Sequence, residues 1–176
     1  MPGKITVSFS FKILSIICCL LMLGQNGFSQ EEKFKALFIY NFTKYIEWPA
    51  INGNDFKITI IGNNKLVNEL DNIASKKTVG QSAIKVTTAK SVSEVKNCQI
   101  LFISNTNIDE MAMVLDNARN QNILLITESP NACSHGAGVN FVINNGNIKF
   151  EISKSNIENA GLKVSPSLLK LGTEVN

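Results

Sequence analysis

The chain has 176 residues, of which 17 are basic and 14 acidic, and its formal net charge is +3 at pH 7. A balance this close to neutral excludes a protein that holds nucleic acid on a strongly basic surface. The single histidine, His135, excludes a metal site built from several imidazoles.

Residues 1–29 have the layout of a secretory signal peptide. Lys4 and Lys12 supply the positive charge, residues 13–23 form a short apolar run, and Gly27 and Ser29 offer small side chains at the A-x-A-like cleavage spacing. We therefore expect cleavage before Gln30 and export to the periplasm. Because a spanning helix needs roughly 20 apolar residues, we expect no membrane span in the mature chain, with an uncleaved anchor as the alternative.

Cleavage would remove two of the 17 basic residues and leave 15 against 14 acidic ones, a net charge of +1. A net charge of +1 does not indicate a basic surface for nucleic acid in that part of the chain. The remaining 147 residues (176 less 29) fit one domain with a single core, and no linker rich in Pro, Gly or Ser divides them. We predict a signal peptide at 1–29 and one domain at 30–176.

The first predicted element of the mature chain is an amphipathic helix rich in aromatic residues. Its apolar side chains recur at helical spacing, namely Phe34, Leu37, Phe38, Phe42, Tyr45 and Ile46. The charged residues Lys33, Lys35, Lys44 and Glu47 fall largely elsewhere on the helix, so we expect them outside the apolar stripe. Pro49 disfavours helical geometry before it, which predicts a helix end around Glu47 or Trp48.

Apolar runs then alternate with helical patterns, which predicts a sheet with crossover helices. Strands are predicted over 56–61, 83–88, 99–103 and 123–127. Helices are predicted over 66–74, after the capping box at Ser91–Glu94, and around Met111 to Ala118. An Asn52-Gly53 turn precedes the first of these strands. Such connections favour a mostly parallel sheet covered on both sides.

The last third of the chain predicts an antiparallel hairpin followed by short helices. Apolar residues alternate on both sides of Asn145-Gly146, the strongest short hairpin turn. The register places Ile143 opposite Ile148, Phe141 opposite Phe150, and Val139 opposite Ile152. A capping box over 155–158 and Ser165-Pro166 predict two terminal helices, the second running through Leu171. The fold class is α/β, a mostly parallel sheet flanked by helices with a C-terminal antiparallel hairpin and short terminal helices.

Only Cys98 and Cys133 remain after cleavage, in an oxidising compartment where disulfides form. Cys98 begins one predicted strand and Cys133 follows the end of another. If these strands run parallel, the thiols start at opposite ends of the sheet, whereas a disulfide needs Cα atoms within about 7 Å. We predict two free thiols, although a loop folding back would allow a bridge.

No group of residues predicts catalysis. Cys133 and His135 form one C-x-H pair where a closed zinc site needs four ligands. The glycines at 136 and 138 precede a strand and lack the third glycine of a dinucleotide-binding loop. We therefore expect no enzymatic activity, no metal and no cofactor.

One predicted location favours a small ligand, because crevices in parallel sheets lie beyond the carboxyl ends of the strands. The residues expected there are Asn63, Asn64, Ser104, Asn105 and Glu128. Ordinary helix capping is the more common role of such side chains, and we predict an asparagine cap before the helix at 66–74. A periplasmic small-ligand binding domain thus stays open as an alternative function.

The stretch Phe34 to Pro49 resembles the opening motif of the YfiR-like family of secreted bacterial regulators. Further segments resemble that family in the same order, namely Phe56 to Gly62, Cys98 to Ser104, Phe141 to Ile152 and Ser165 to Leu169. The resemblance implies a non-catalytic periplasmic regulator, active in cyclic di-GMP signalling or beside other envelope sensors. Its implied partner is an inner-membrane signalling protein such as a diguanylate cyclase or a sensor kinase, and a homodimer stays open.

The resemblance also implies contact residues. It places Glu151, with Phe141 and Ile157, near a surface for the partner, although strand alternation fits a solvated Glu151 as well. Trp48 is a further candidate, since tryptophan is enriched at interface hot spots, with burial as the alternative. Some relatives carry four cysteines in two bridges, and this chain keeps one cysteine of each pair.

Overall fold

The computed structural model describes residues 26–49, 55–104, 112–115 and 121–175. The helices are α1 (Asn26–Tyr45), α2 (Asn64–Ala74), α3 (Lys154–Asn159) and α4 (Pro166–Leu169). The strands are β1 (Ile46–Glu47), β2 (Asp55–Ile61), β3 (Thr78–Val79), β4 (Ser82–Thr88), β5 (Ile100–Ile103), β6 (Leu124–Thr127), β7 (Val139–Asn144), β8 (Asn147–Ile152), β9 (Lys163–Val164) and β10 (Thr173–Glu174).

Two compact units divide the chain between Glu31 and Glu32. The described part of the first unit is the start of α1, and the sheet with its helices belongs to the second. Short 3₁₀ turns cover Val92–Glu94 and Ala132–His135, and residues 112–115 are helical.

Eight strands form one sheet in the order β10-β8-β7-β6-β5-β2-β4-β3, while β1 and β9 make a separate antiparallel pair. The strands from β4 across to β7 run parallel, as crossover connections favour. The predicted α/β fold with a mostly parallel sheet is therefore confirmed. Sequence analysis missed β3, β9 and β10, since two residues give no readable periodicity.

The C-terminal hairpin has the predicted register. Phe141 pairs with Phe150, and the same register aligns the other two predicted pairs. Asn145 (φ 51°) and Gly146 (φ 75°) both adopt the positive φ values that a two-residue primed turn requires. Ile143, near the turn, is 66% exposed, because the hairpin extends beyond the core there.

Each face of the sheet carries a hydrophobic core, and alternate residues of the central strands belong to one core or the other. One face carries the larger core, where Ile39 and Phe42 of α1 share a cluster with Phe102, Phe141 and Phe150. The smaller core on the other face contains Cys98, Leu101, Ile103, Val114, Ile123, Leu125, Ala132 and Ala137. Val114 and Leu115 pack there as predicted, whereas Met111, Ala118 and the Asn52-Gly53 turn lie outside the described residues.

Helix α1 ends at Tyr45, so the predicted end at Glu47 or Trp48 is wrong. Ile46 and Glu47 instead pair with β9, and the Ser165 amide donates to the Tyr45 carbonyl at 2.8 Å. This pairing gives hydrogen-bond partners to backbone groups at the end of α1 that would otherwise have bonded within a further helical turn. It also buries Ile46.

The predicted caps hold at two helices and fail at two sites. Asn63 caps α2 and Ser165 caps α4, each accepting from a backbone amide, but α4 ends before Leu171. Helix α3 is capped by Ser153 rather than Ser155, because it begins two residues earlier than predicted. Ser91 makes no side-chain cap, and only a three-residue 3₁₀ turn follows it.

Two phenylalanines of α1 give a matched test of this packing. Phe42 is 1% exposed and its ring lies 5.1 Å from that of Phe150, whereas Phe34 is 45% exposed. Phe42→Ala should lower the free energy of unfolding by about 3–5 kcal/mol, because it leaves a cavity in the core. Phe34→Ala should lower it by less than about 1 kcal/mol. Urea titration of both variants measures this, and equal losses would contradict the packing.

Candidate functional site

A buried ion network joins α1 to the carboxyl edge of the sheet. Lys35 is only 4% exposed, and its Nζ lies 3.3 Å from Glu32 Oε1 and donates to Glu128 Oε2. Glu128 directly follows β6. The expectation that Lys35 lies outside the buried stripe is therefore wrong, because two carboxylates compensate its charge inside the protein.

Two residues of the predicted crevice complete this network. Ser104 Oγ donates to Glu128 Oε1, and Asn63 Nδ2 donates to Glu32 Oε2 at 2.9 Å. Asn63 Oδ1 accepts from the Leu66 amide at 3.0 Å, which is the α2 cap. The structure thus brings Asn63, Ser104 and Glu128 together, as the order of parallel strands predicts.

The outcome differs for the other two crevice residues. Asn64 is exposed at the first position of α2, and Asn105 lies outside the described residues. Among the described residues, no buried side-chain nitrogen or oxygen lacks a hydrogen-bond partner. The arrangement is therefore well suited to fixing α1 on the sheet, where each charge already has an internal partner.

Sequence analysis missed Lys35 and Glu32 as members of this site, although a signal existed. Lys35, Ile39, Phe42 and Ile46 follow the i, i+4, i+7, i+11 spacing of one helix face. The three apolar members are all buried. Lysine is usually a surface residue, and that expectation concealed its place in the stripe.

A second polar chain crosses the opposite face of the sheet. Thr127 Oγ1 donates to Asn140 Oδ1 at 2.8 Å, and Asn140 Nδ2 donates to Glu151 Oε2 at 3.0 Å. Thr127 and Asn140 are fully buried, and Glu151 is half-buried. Asn140 lies opposite Glu151 as the register predicts, and the chain of bonds fixes the Glu151 carboxylate near solvent.

The remaining predicted contact residues lie largely in the interior. Phe141 and Ile157 are buried in the larger core, so neither side chain offers a contact surface in this structure. Trp48 is half-buried, its Nε1 donates to the Gln99 carbonyl at 3.1 Å, and its ring meets Phe56 edge to face at 5.0 Å.

A cavity of about 290 Å³ lies away from the predicted crevice. Its lining is mainly apolar, with residues such as Leu115, Leu124 and Ile157, and its polar side chains are Asn156 and Asn159.

Within the described residues, no three His, Cys, Asp or Glu side chains group to hold a metal ion. His135 is exposed, with Nδ1 2.9 Å from the Asn131 carbonyl.

Comparison with known proteins identifies the family. The pattern of YfiR/HmsC-like proteins matches residues 32–173, which covers the sheet except Glu174 and all four helices except the start of α1. The chain belongs to the YfiR/HmsC-like family. This confirms the resemblance seen in the sequence. The family is one of periplasmic regulatory proteins in general.

One solved structure shares the fold only. The ABC domain in complex with L-Trp from Streptococcus pneumonia has a TM-score of 0.51 at 13% identity, over 72% of this chain and 57% of that one. A 3-hydroxyacyl-CoA dehydrogenase from Archaeoglobus fulgidus aligns at a TM-score of 0.30 and 11% identity, over 68% of this chain and 55% of that one. This YfiR/HmsC-like chain thus spans a little more than half of each structure. Among its described residues, no helix is long and apolar enough to cross a membrane.

The two cysteines of this YfiR/HmsC-like domain are separate buried thiols. Burial raises the pKa of Cys98 from 9.0 to about 11. Burial also raises the pKa of Cys133 from 9.0 to about 12, with a further contribution from the Glu151 carboxylate. Because the thiolate is the reactive form, burial and the raised pKa values both disfavour reaction of these thiols at neutral pH.

The ion network predicts a stability effect specific to Lys35. Lys35→Met removes the ammonium and leaves two carboxylates facing each other, so the free energy of unfolding should fall by about 3 kcal/mol. Lys35→Met/Glu128→Gln should lose less than the two single variants together. Lys33, an exposed lysine on the same helix, is the control. Lys33→Met should change the free energy of unfolding by less than about 0.5 kcal/mol. A wild-type urea midpoint for Lys35→Met would refute the network.

The raised thiol pKa values predict slow alkylation of the native protein. At pH 8, iodoacetamide should leave Cys98 and Cys133 unmodified for a period that fully labels the protein in urea, as mass spectrometry would record. Their folded pKa values lie above the unfolded value, so the thiols contribute stability that is complete below about pH 9 and disappears as pH rises through about 11 to 12. Labelling of the native protein as fast as that of the urea-unfolded protein would contradict this burial.

Proposed function

We propose that this chain is a periplasmic regulatory protein that binds the periplasmic portion of an inner-membrane signalling protein, such as a diguanylate cyclase or a sensor kinase. The observation that carries the proposal is the family match over residues 32–173. The signal-like layout of residues 1–29 supports export to the compartment where such a partner would be reached.

The proposal includes a non-catalytic mode of action. Its support is that the most deeply placed polar groups are engaged in internal contacts. Lys35 is held by Glu32 and Glu128, and the thiols of Cys98 and Cys133 are protonated at neutral pH. General acid-base or nucleophilic catalysis instead needs a group poised to meet a substrate. Regulation would then come from binding alone.

Glu151 is the best placed of the predicted contact residues. Its side chain is half-buried, and the bond from Asn140 holds the carboxylate in one position at the edge of the interior. A fixed charge reaching solvent binds a cationic group at a smaller entropic cost than a mobile one. Phe141 and Ile157 lie in the larger core on the other face of the sheet, where they stabilise the hairpin and the helix after it.

The test is capture of a partner from detergent-solubilised inner membrane by the purified mature protein. We expect an integral-membrane signalling protein on the wild-type bait and less of it on Glu151→Lys. Asp71→Lys, with the same charge change at an exposed position of α2, is the matched control and should capture normally. Deleting the gene should change signalling output. Recovery of no signalling protein, together with turnover of a substrate by the purified chain, would refute the proposal.

A further inference from the structure

The outer face of α1 has an unusual combination of side chains. Phe34 is 45% exposed and Leu37 is 48% exposed, although both are large apolar residues. On the same helix the charged Lys35 is buried. At these positions the helix turns a charge inward and apolar groups outward, whereas Ile39 and Phe42 on its other face pack in the core as amphipathic packing requires.

Six residues make up this face, which we call the outer stripe: Lys33, Phe34, Leu37, Tyr40, Asn41 and Lys44. At about 100° per residue they fall within roughly 120° of the helix circumference, and they extend along about three turns. Lys33 and Lys44 are exposed at the two ends of the stripe, while Tyr40 and Asn41 are half-buried. The stripe is thus apolar in the middle and positively charged at both ends.

Charge and geometry within the stripe favour contact with an anionic partner. No acidic residue occurs from Lys33 to Lys44 in the sequence. Lys44 Nζ lies 4.6 Å from the centre of the Tyr40 ring and 3.2 Å from Asn41 Oδ1, so its charge is held beside the apolar surface. A carboxylate approaching Lys44 would meet a cation already positioned next to the aromatic ring.

We propose that the outer stripe binds an acidic amphipathic helix of the signalling partner, whose apolar side chains cover Phe34 and Leu37. Acidic side chains at the two ends of that helix pair with Lys33 and Lys44. This inference rests on the proposed regulatory function and assigns a surface to it. A helix lying on a helix buries an apolar strip of this length, with about three turns on each side.

The same features disfavour two other occupants. If a second copy paired its stripe antiparallel and in full register, lysines would meet lysines at both ends, which is repulsive. Anionic membranes are bound by clusters of four to eight basic residues, at about 1 kcal/mol for each residue, and the stripe offers two. A protein segment with complementary charge is the occupant that fits.

Site-specific photo-crosslinking in cells tests the surface. The photoreactive residue benzoylphenylalanine replaces Leu37 in the full-length chain, and the control carries it at Lys85, an exposed position of β4. We expect position 37 to form an adduct with the membrane signalling protein, on a peptide that mass spectrometry shows to be acidic and apolar, while position 85 forms none. Adducts to a second copy or to phospholipid would overturn the inference.

Charge reversal gives an independent measure. Lys33→Glu/Lys44→Glu should weaken binding of the captured partner by about tenfold or more at low salt, with less difference at high salt. Lys76→Glu/Lys77→Glu makes the same charge change at exposed positions after α2 and should bind normally. Urea midpoints confirm that both variants are folded.

The two proposals fail in different ways. If the wild type captures its membrane partner while the Lys33→Glu/Lys44→Glu variant binds it equally well, or while position 37 forms no adduct, the outer stripe is not the contact surface and the regulatory proposal stands. If no membrane partner is captured by the wild type, the regulatory proposal fails and the inference fails with it.

Discussion

The buried ammonium of Lys35, held by Glu32 and Glu128, fixes how the first helix lies on the sheet. A buried lysine is unfavourable unless opposite charges and hydrogen bonds surround it, so the helix is held at the rotation that brings Lys35 to these carboxylates. At that rotation Phe42 packs into the core and Leu37 faces solvent. One constraint on the angle about the helix axis thus determines both a buried face and an exposed one.

The two faces of the sheet have different functions in this architecture. Because side chains alternate along a strand, Ile126 belongs to the core beneath α1, while Thr127 begins the polar chain on the other face. That chain passes through Asn140 and ends at the half-buried Glu151 carboxylate. Polar groups on the two faces thus end in different places, one in the buried Lys35 network beneath α1 and one at the half-buried carboxylate on the hairpin.

Local patterns in the sequence were sufficient where the physical cause is local. The hairpin register was predicted correctly because the period-two alternation and the Asn145-Gly146 turn act over a few residues. The Asn63 cap was predicted because it belongs to its own helix. The proximity of Ser104 and Glu128 was predicted because neighbouring parallel strands end at the same edge of the sheet. The burial of Lys35 was missed despite its helical spacing, because a lysine is buried only beside compensating charges and one of these, Glu128, lies far along the chain.

The sequence by itself determined the α/β class, the family, the main strands and the hairpin, because these depend on periodicity, turn residues and motif order. Only the tertiary structure decided that α1 ends at Tyr45, that Phe141 and Ile157 are interior, and that Lys35 is buried while Leu37 is exposed. These properties depend on which distant groups meet. A helix pattern shows which residues share a face, but the partners available on the sheet decide which face turns inward.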